Sequence, residues 1–532
     1  MIAAAVRACA SLNARLSARI GETCRNREVF TVSLLGLDVG TTGCKATAFN
    51  VDGAVLASAY REYPLLSPQP GWAELDSARV WHDVKDCLAQ VAQATKNDPI
   101  SALAVSCQGE ATTPLDEHGN ILDTTAVSFD TRTAGLVSWW EEHVGRERIF
   151  EITGQPLASP FTALKLQWMR QNKPEVFAKV RKFLFYEDFI YHQLGLEPYT
   201  DYTVAGRSMF FDVRAENWSE ELLRHVGIST DRLAKPVPSG TVIGTIPDKK
   251  ADELGLPHGI QVATGGHDQP TQTLGAGVID PNVASYGIGT VECIVPVFQE
   301  PVLNKTMLDN NICCYHHTYS GMYIALVYNF TGGQLFRWYR DTFGDVEKME
   351  AERTGKDVYD ILTGKAADQP TNLLVLPHFT TTGVPHFDNN SRGAILGMTL
   401  GTTKGEVIRG ILEGITMELR LCVDILDKAG VPIEELRATG GGSKSDYWMQ
   451  IKADIMGRPV RLPKVSESGN LGCAMLAGTA TGVYRSLSEA AEQLITIGKS
   501  FEPNEKNVRY YQDRLGLYAE IYPRLRDLFH RM

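Results

Sequence analysis

The stretch Leu34-Leu35-Gly36-Leu37-Asp38-Val39-Gly40-Thr41-Thr42-Gly43, which resumes as Lys45 to Asn50 before the turn Asp52-Gly53, decides the fold. The mostly apolar Leu34 to Val39 reads as a strand, Gly40 to Gly43 as a tight turn, and the second run as a returning strand. The stretch Ala284 to Val297 looks alike: a short apolar strand, Gly287-Ile288-Gly289-Thr290, then the apolar Cys293 to Phe298. Gly289-Thr290 lies 249 residues after Gly40-Thr41. Two similar hairpins that far apart suggest two topologically related lobes, each offering turn amides to anionic oxygens. Glycine hairpins are also common in ordinary β-structure, so the pair alone leaves the phosphate role open.

Composition sets the scale. With 532 residues and 43% apolar residues the chain can bury a large core and is expected to form more than one domain. A net charge of −11 argues against nucleic acid or an anionic membrane surface as main partner. Ten cysteines run from Cys9 to Cys473 without metal-ligand spacing, as expected of reduced structural thiols. No run of about eighteen apolar residues is present to span a bilayer. Residues 1–33 carry Arg7, Arg15, Arg19, Arg25 and Arg27 against Glu22 and Glu28. They read either as an organelle transit segment or as an extension outside the fold.

Between the hairpins, the periodic run Thr162 to Gln171 and the turn-rich Pro236 to Asp248 point to a mixed α/β class. Val407, Ile411, Ile415, Leu419, Cys422 and Leu426 recur at helical spacing, and Lys428, Gly430 and Pro432 end that helix. Leu436 to Thr439 reads as a strand entering Gly440-Gly441-Gly442, after which Ser443 or Ser445 can cap a helix carrying Trp448, Ile451 and Ile455. Such a strand, glycine turn and helix start lets backbone approach a phosphate or a ring edge closely.

Four polar clusters stand at strand ends. Asp38 precedes the first glycine turn, where it can face Mg²⁺ or simply bond the turn's own amides. Asp268, in Gly265-Gly266-His267-Asp268-Gln269, can take a proton from a hydroxyl or cap a helix. Gln108 and Glu110 can bind sugar hydroxyls or belong to a solvated loop. Asp130, before Arg132, reads as a ligand or as half of a surface ion pair.

The order of these elements resembles the FGGY family of carbohydrate kinases from about residue 34 to about 485. The resemblance rests on Leu37 to Thr42, on Thr162 to Met169 with Asn172, on Tyr286 to Thr290 and on Gly332-Gly333 before Trp338. Arg392 to Met398 with Glu406-Val407 and Leu412-Glu413, and Gly440 to Ser443 before Asp446, complete it. It implies two actin-like ATPase (ribonuclease H-like) lobes around a central cleft, as in the hexokinase/actin superfamily. Residues 34–280 would form the first lobe and 281–532 the second, with 1–33 outside. The implied reaction is ATP-dependent phosphorylation of a small sugar or polyol, with Asp268 as general base and Asp38 organising Mg²⁺. Gln108, Glu110, Asp130, Asp268 and Gln269 would meet the substrate. Gly40, Thr41, Thr42, Gly289, Thr290 and Gln334 would hold ATP with Gly441, Gly442 and Ser443 at the adenosine side. The lack of a bilayer-spanning run and of a compact secretory signal core reads as a cytoplasmic protein, with organelle targeting by residues 1–33 left open, and the resemblance leaves room for a homodimer, since relatives often dimerise.

Departures from the family bear on substrate. Gly109-Glu110 replaces the Met-His of xylulose kinases, and Glu110 is similar to the glutamate of the glycerol kinases' Gln-Arg-Glu, without its arginine. Pro160 and Gly410 stand where other residues are usual, and Thr380 to Gly383 replaces a common Gly-Glu-Arg. A ketopentose such as xylulose is the first expectation; glycerol, erythritol, ribulose or fuculose types are alternatives, as is a sugar-binding regulator without catalysis.

Overall fold

The computed structural model describes residues 32–532, so the expectation for residues 1–33 lies almost wholly outside the described residues. The first sheet has six strands: β1 (Ser33–Val39), β2 (Gly43–Phe49), β3 (Val55–Glu62), β4 (Ile100–Cys107), β5 (Val242–Thr245) and β6 (Gln261–His267), in the order β5-β6-β4-β1-β2-β3. β1, β4 and β6 run parallel, whereas β1-β2-β3 is an antiparallel meander. The central strands are covered on both faces, which is why β1 reads as a nearly continuous apolar run.

The second sheet has eight: β7 (Val283–Ile288), β8 (Glu292–Phe298), β9 (Tyr315–His316), β10 (Tyr323–Ile324), β11 (Val327–Asn329), β12 (Glu435–Thr439), β13 (Val460–Pro463) and β14 (Ile497–Phe501). Their order is β9-β10-β8-β7-β12-β13-β14, with β11 also pairing with β8. The β8-β7-β12-β13 core repeats β2-β1-β4-β6 in order and sense. The two hairpins therefore mark two lobes of one topology, each with its glycine turn at the end of its first strand. The turn-rich Pro236 to Asp248 contains the short edge strand β5, whose single neighbour is β6. So brief an edge pairing leaves little periodic signal.

Six helices matter for the site: α1 (Thr162–Asn172), α2 (Tyr202–Gly206), α3 (Asp268–Gly275), α4 (Lys404–Ala429), α5 (Asp446–Met456) and α6 (Ser468–Ala480). α4 buries Ile411, Ile415, Leu419, Cys422 and Leu426. It starts in a capping box between Thr403 and Glu406 and stops at Gly430, whose φ is +89°. Ser445 rather than Ser443 caps α5, accepting from the Trp448 amide at 3.3 Å.

One helix from the second half of the chain packs on the first sheet. α6 lies against the first sheet, where Leu471, Cys473, Met475 and Leu476 share a core with Leu34, Phe49, Ala102 and Ala104. It crosses β1 and α3 so closely that a Cβ at Gly36, Gly275 or Gly472 would sit 2.0, 1.8 and 2.2 Å from the carbonyl oxygens of Asn470, Ser468 and Thr271. The Asn470 side chain donates to Gly36 O and Lys45 O at 2.8 and 2.9 Å, tying the helix to the first hairpin. No helix among the described residues is long and apolar enough to cross a membrane.

Candidate active site

A cavity of about 840 Å³ opens between the two sheets. Thr41, Gln108, Glu110, Asp130, Asp268 and Gln269 reach it from the first lobe, and Gly289 from the second. Thr439 and Gly440, at the mouth of the triple-glycine turn, also line it. Asp38, Gly40, Thr42 and Thr290 are not among its lining residues. Gly441, Gly442 and Ser443 form a short 3₁₀ turn beyond its rim. Gln334 is exposed and meets the second hairpin through its backbone, donating to Thr290 O at 3.3 Å.

Parallel pairing gathers polar residues at one end of the first sheet. Asp38 stands opposite Ser106 on one side and Lys45 on the other, and Gly266 also stands opposite Ser106. β1, β4 and β6 thus deliver Asp38, Gln108 and Asp268 to one sheet edge. Asp268 is not a helix cap: His267 occupies the cap position and Asp268 is the first residue of α3. Burial, then the charges of Asp38 and Glu110, push the Asp268 carboxyl up to about 7. Burial likewise pushes Asp38 up to about 6, with Glu467 adding to the shift and the Ser106 hydroxyl and Lys45 opposing it.

Asp38 Oδ1 and Asp268 Oδ1 are both buried without a hydrogen-bond partner. His267 Nε2 lies 3.1 Å from Asp268 Oδ1 but out of hydrogen-bond alignment. The His267 ring is held well below its ordinary pKa, first by burial and then by the Arg207 charge, and its Nδ1 faces the Tyr315 hydroxyl at 3.0 Å. A neutral imidazole leaves the Asp268 charge uncompensated. The orphaned Asp38 oxygen beside the first glycine turn fits a hydrated divalent cation, since Mg²⁺ keeps most of its waters and takes few protein ligands. The three-residue group His82, Asp83 and Asp86 with metal-binding geometry is exposed at its ends and is not part of the cavity lining.

The glycine turns are rigidly seated. Gln108 clasps the first, accepting from Thr41 Oγ1 and donating to Gly40 O, each at 3.3 Å, while Tyr63 donates to Gly40 O at 2.5 Å. The second turn rests on Gly333, whose amide donates to Gly289 O at 2.8 Å. Beneath it, Lys452 and Glu292 form a fully buried pair at 2.7 Å that the Tyr286 hydroxyl joins. Gly440 has φ +93° and ψ 177°, a conformation open essentially to glycine alone.

Asp130 lines the cavity, yet both its oxygens are engaged. Arg132 donates to Oδ1 and Oδ2 at 2.8 and 2.7 Å, and the Ala73 amide to Oδ2 at 2.7 Å. Burial would raise its pKa, but Arg132 and these amides overcome burial and hold the carboxyl below the usual range. The ion-pair alternative thus describes Asp130, although the pair is buried rather than on the surface. Gln269 Oε1 accepts a hydrogen bond from the Cys293 thiol at 3.2 Å across the lobe interface.

The arginine missing beside Glu110 is supplied from elsewhere in the chain. Arg207, directly after α2, donates through Nε to Glu110 Oε1 at 2.7 Å and through Nη2 to the same oxygen. Sequence reasoning did not find it, because the two residues are 97 positions apart and Arg207 sits in no glycine-rich or periodic context. The structure shows the room that Gly109 leaves for it: a Cβ there would stand 3.0 Å from Arg207 Cγ. The Glu110 backbone carbonyl, at φ +61°, accepts from Thr162 Oγ1 and Lys165 Nζ at 3.0 and 3.2 Å, so α1 fixes its position. Burial, only partly opposed by the Glu110 and Asp130 charges, pulls Lys165 down to about 8.

Residues 33–275 match the FGGY family of carbohydrate kinases, N-terminal domain, and residues 285–481 match the C-terminal domain of the same family. The xylulose kinase of Bacillus subtilis is 26% identical over 497 residues, 93% of this chain and 97% of that protein. An autoinducer-2 kinase of Klebsiella pneumoniae is 29% identical, over 92% of this chain and 93% of its own. The crystal structure of gluconate kinase from Lactobacillus acidophilus superposes with a TM-score of 0.85 at 27% identity, over 93% of this chain and 98% of that chain. Two lobes of one topology, a cleft between their glycine turns and both family domains in order place the chain in the FGGY family of carbohydrate kinases, as a sugar phosphotransferase of the actin-like ATPase fold.

Proposed function

We propose that the enzyme transfers the γ-phosphate of ATP, as its Mg²⁺ complex, to a hydroxyl of a small sugar or polyol, with a ketopentose such as xylulose first among candidates. The observation that carries this reading is Asp268: a carboxylate on the cavity wall, with an unpartnered oxygen and a pKa of about 7. A group poised there is half ionised near neutral pH and can accept the proton of a hydroxyl as its oxygen attacks phosphorus. Asp38 would hold the water shell of the cation, which neutralises phosphate charge when bound. The amides of Gly40 to Thr42 and of Gly289-Thr290 would position phosphate oxygens, and the Gly440 to Ser443 turn would lie along the nucleoside. Gln108, clasping the first turn, couples phosphate loop to acceptor site. Phosphoryl transfer asks for positioning and charge neutralisation more than covalent help, and this site offers both.

The xylulose kinase relatives favour a ketopentose, while relatives named for gluconate and autoinducer-2 stand at similar identity. The test is ADP release from ATP over a panel of ketoses, polyols and aldonates, with a no-acceptor control. Acceptor-dependent release supports the reading; release that ignores every acceptor, or none at all, overturns it.

A further inference from the structure

One ion pair in the cleft has no part in the phosphoryl transfer just described. Glu110 and Arg207 keep only 4% and 12% of their side chains exposed, and both line the cavity that also holds Asp268. Arg207 is held on every side. Its Nη1 donates to Gln155 Oε1 at 3.1 Å, and its guanidinium lies over the rings of Phe161 and Tyr315 at 5.2 and 5.3 Å. Both of its contacts to Glu110 converge on Oε1, which leaves Oε2 for another donor. The positive φ of Glu110 is uncommon for a residue with a Cβ and is typical of ligand clamps.

We infer that the Arg207–Glu110 pair sets the charge class of the acceptor, admitting neutral polyhydroxy compounds and rejecting sugars that carry a carboxylate. A buried planar guanidinium is the group an aldonate would seek, through a bidentate contact. Glu110 pre-empts it. An entering carboxylate would have to displace Glu110, leaving a second negative charge stranded beside Asp268, whereas a neutral hydroxyl donates to Oε2 and displaces nothing. Burial draws the Arg207 pKa down, but Glu110 outweighs it and the net shift is upward, so the cation persists at any working pH. Overall identity does not choose between these classes, since relatives named for xylulose and for gluconate are about equally distant.

This inference rests on the acceptor site proposed above. Calorimetric titration without nucleotide would compare D-xylulose, glycerol and gluconate on the wild type, Glu110→Gln, and Glu110→Gln with Arg207→Gln. The wild type should bind a neutral probe about tenfold or more tightly than gluconate. Glu110→Gln leaves the guanidinium unpaired, so gluconate should bind about tenfold more tightly than to the wild type while the neutral probe weakens. The double variant should lose the gluconate gain. A folded Glu110→Gln protein, by thermal melting, whose gluconate affinity is unchanged overturns the inference. Gluconate binding as tight as the neutral probes in the wild type does the same without any variant. An enzyme that phosphorylates only aldonates sinks the charge rule but keeps the kinase; one that phosphorylates nothing sinks the kinase reading itself.

Discussion

At the scale of single residues, Asp268 carries the chemistry proposed. Asp268→Asn keeps the side chain's size but cannot accept a proton, so kcat should fall by about 10²–10⁴-fold with both dissociation constants nearly unchanged. A near-normal kcat would remove it as the base. The same substitution reports on the raised pKa. The folded chain holds this proton more tightly than the unfolded chain does, so the group supports the fold while protonated, below its ordinary value of 3.8. That support is lost as pH rises through about 7. Asp268→Asn should therefore melt above the wild type at pH 8, and the gap should close toward pH 4; an equal gap at both would mean the carboxyl is not shifted. Asp38→Ala, on the phosphate side, should weaken Mg²⁺-dependent turnover and leave calorimetric sugar binding within about twofold. Unchanged turnover across a Mg²⁺ titration would end its assignment to the cation.

At the scale of elements, the triple-glycine turn holds its shape at Gly440 through backbone that no larger residue copies. Gly440 combines φ +93° with a would-be Cβ 2.6 Å from Ile288 O. Forcing alanine there costs about 1–3 kcal/mol of strain or shifts the turn. Gly440→Ala should raise the KM for ATP by roughly tenfold or more, with the sugar dissociation constant unmoved; a change confined to the sugar would place the nucleotide elsewhere. The short helix α2 works in the same way at the other end of the cleft. Asp201 caps it at both the Thr203 and Val204 amides, and Thr203 Oγ1 accepts from the His267 amide at 2.7 Å. One helical turn thereby seats the strand end that carries Asp268 and aims Arg207.

At the scale of the whole molecule, α6 makes the first lobe depend on the second half of the chain. Leu471, Met475 and Leu476 are at most 4% exposed against the first sheet. Burial of such side chains contributes about 1.5–3 kcal/mol each. A fragment of residues 34–280 exposes the Leu34, Phe49, Ala102 and Ala104 face and should fail to show cooperative melting or near-ultraviolet circular dichroism of a packed core. Rejoining residues 464–495 through a flexible linker should restore both. Cooperative unfolding of 34–280 alone would show that α6 is dispensable to that lobe. The glycine crossings at Gly275 and Gly472 seat α6 against α3, the helix whose first residue is Asp268.

Sequence alone determined the local pieces, because their signals are local. Apolar runs with glycine turns specify the two hairpins, and 3.6-residue spacing specifies α4. The strand ends bearing Asp38, Gln108 and Asp268 were legible because a carboxylate or amide after an apolar run stands out from it. The ordered motifs carried the family. Tertiary structure decided what depends on distant pairing: which Ser caps α5, that Asp130 spends both oxygens on Arg132 and Ala73, and that α6 crosses back to the first sheet. It also decided the companion of Glu110. An ion pair between residues 97 apart has no period and no motif, and only the folding of α2 against β6 brings Arg207 into the space that Gly109 leaves open.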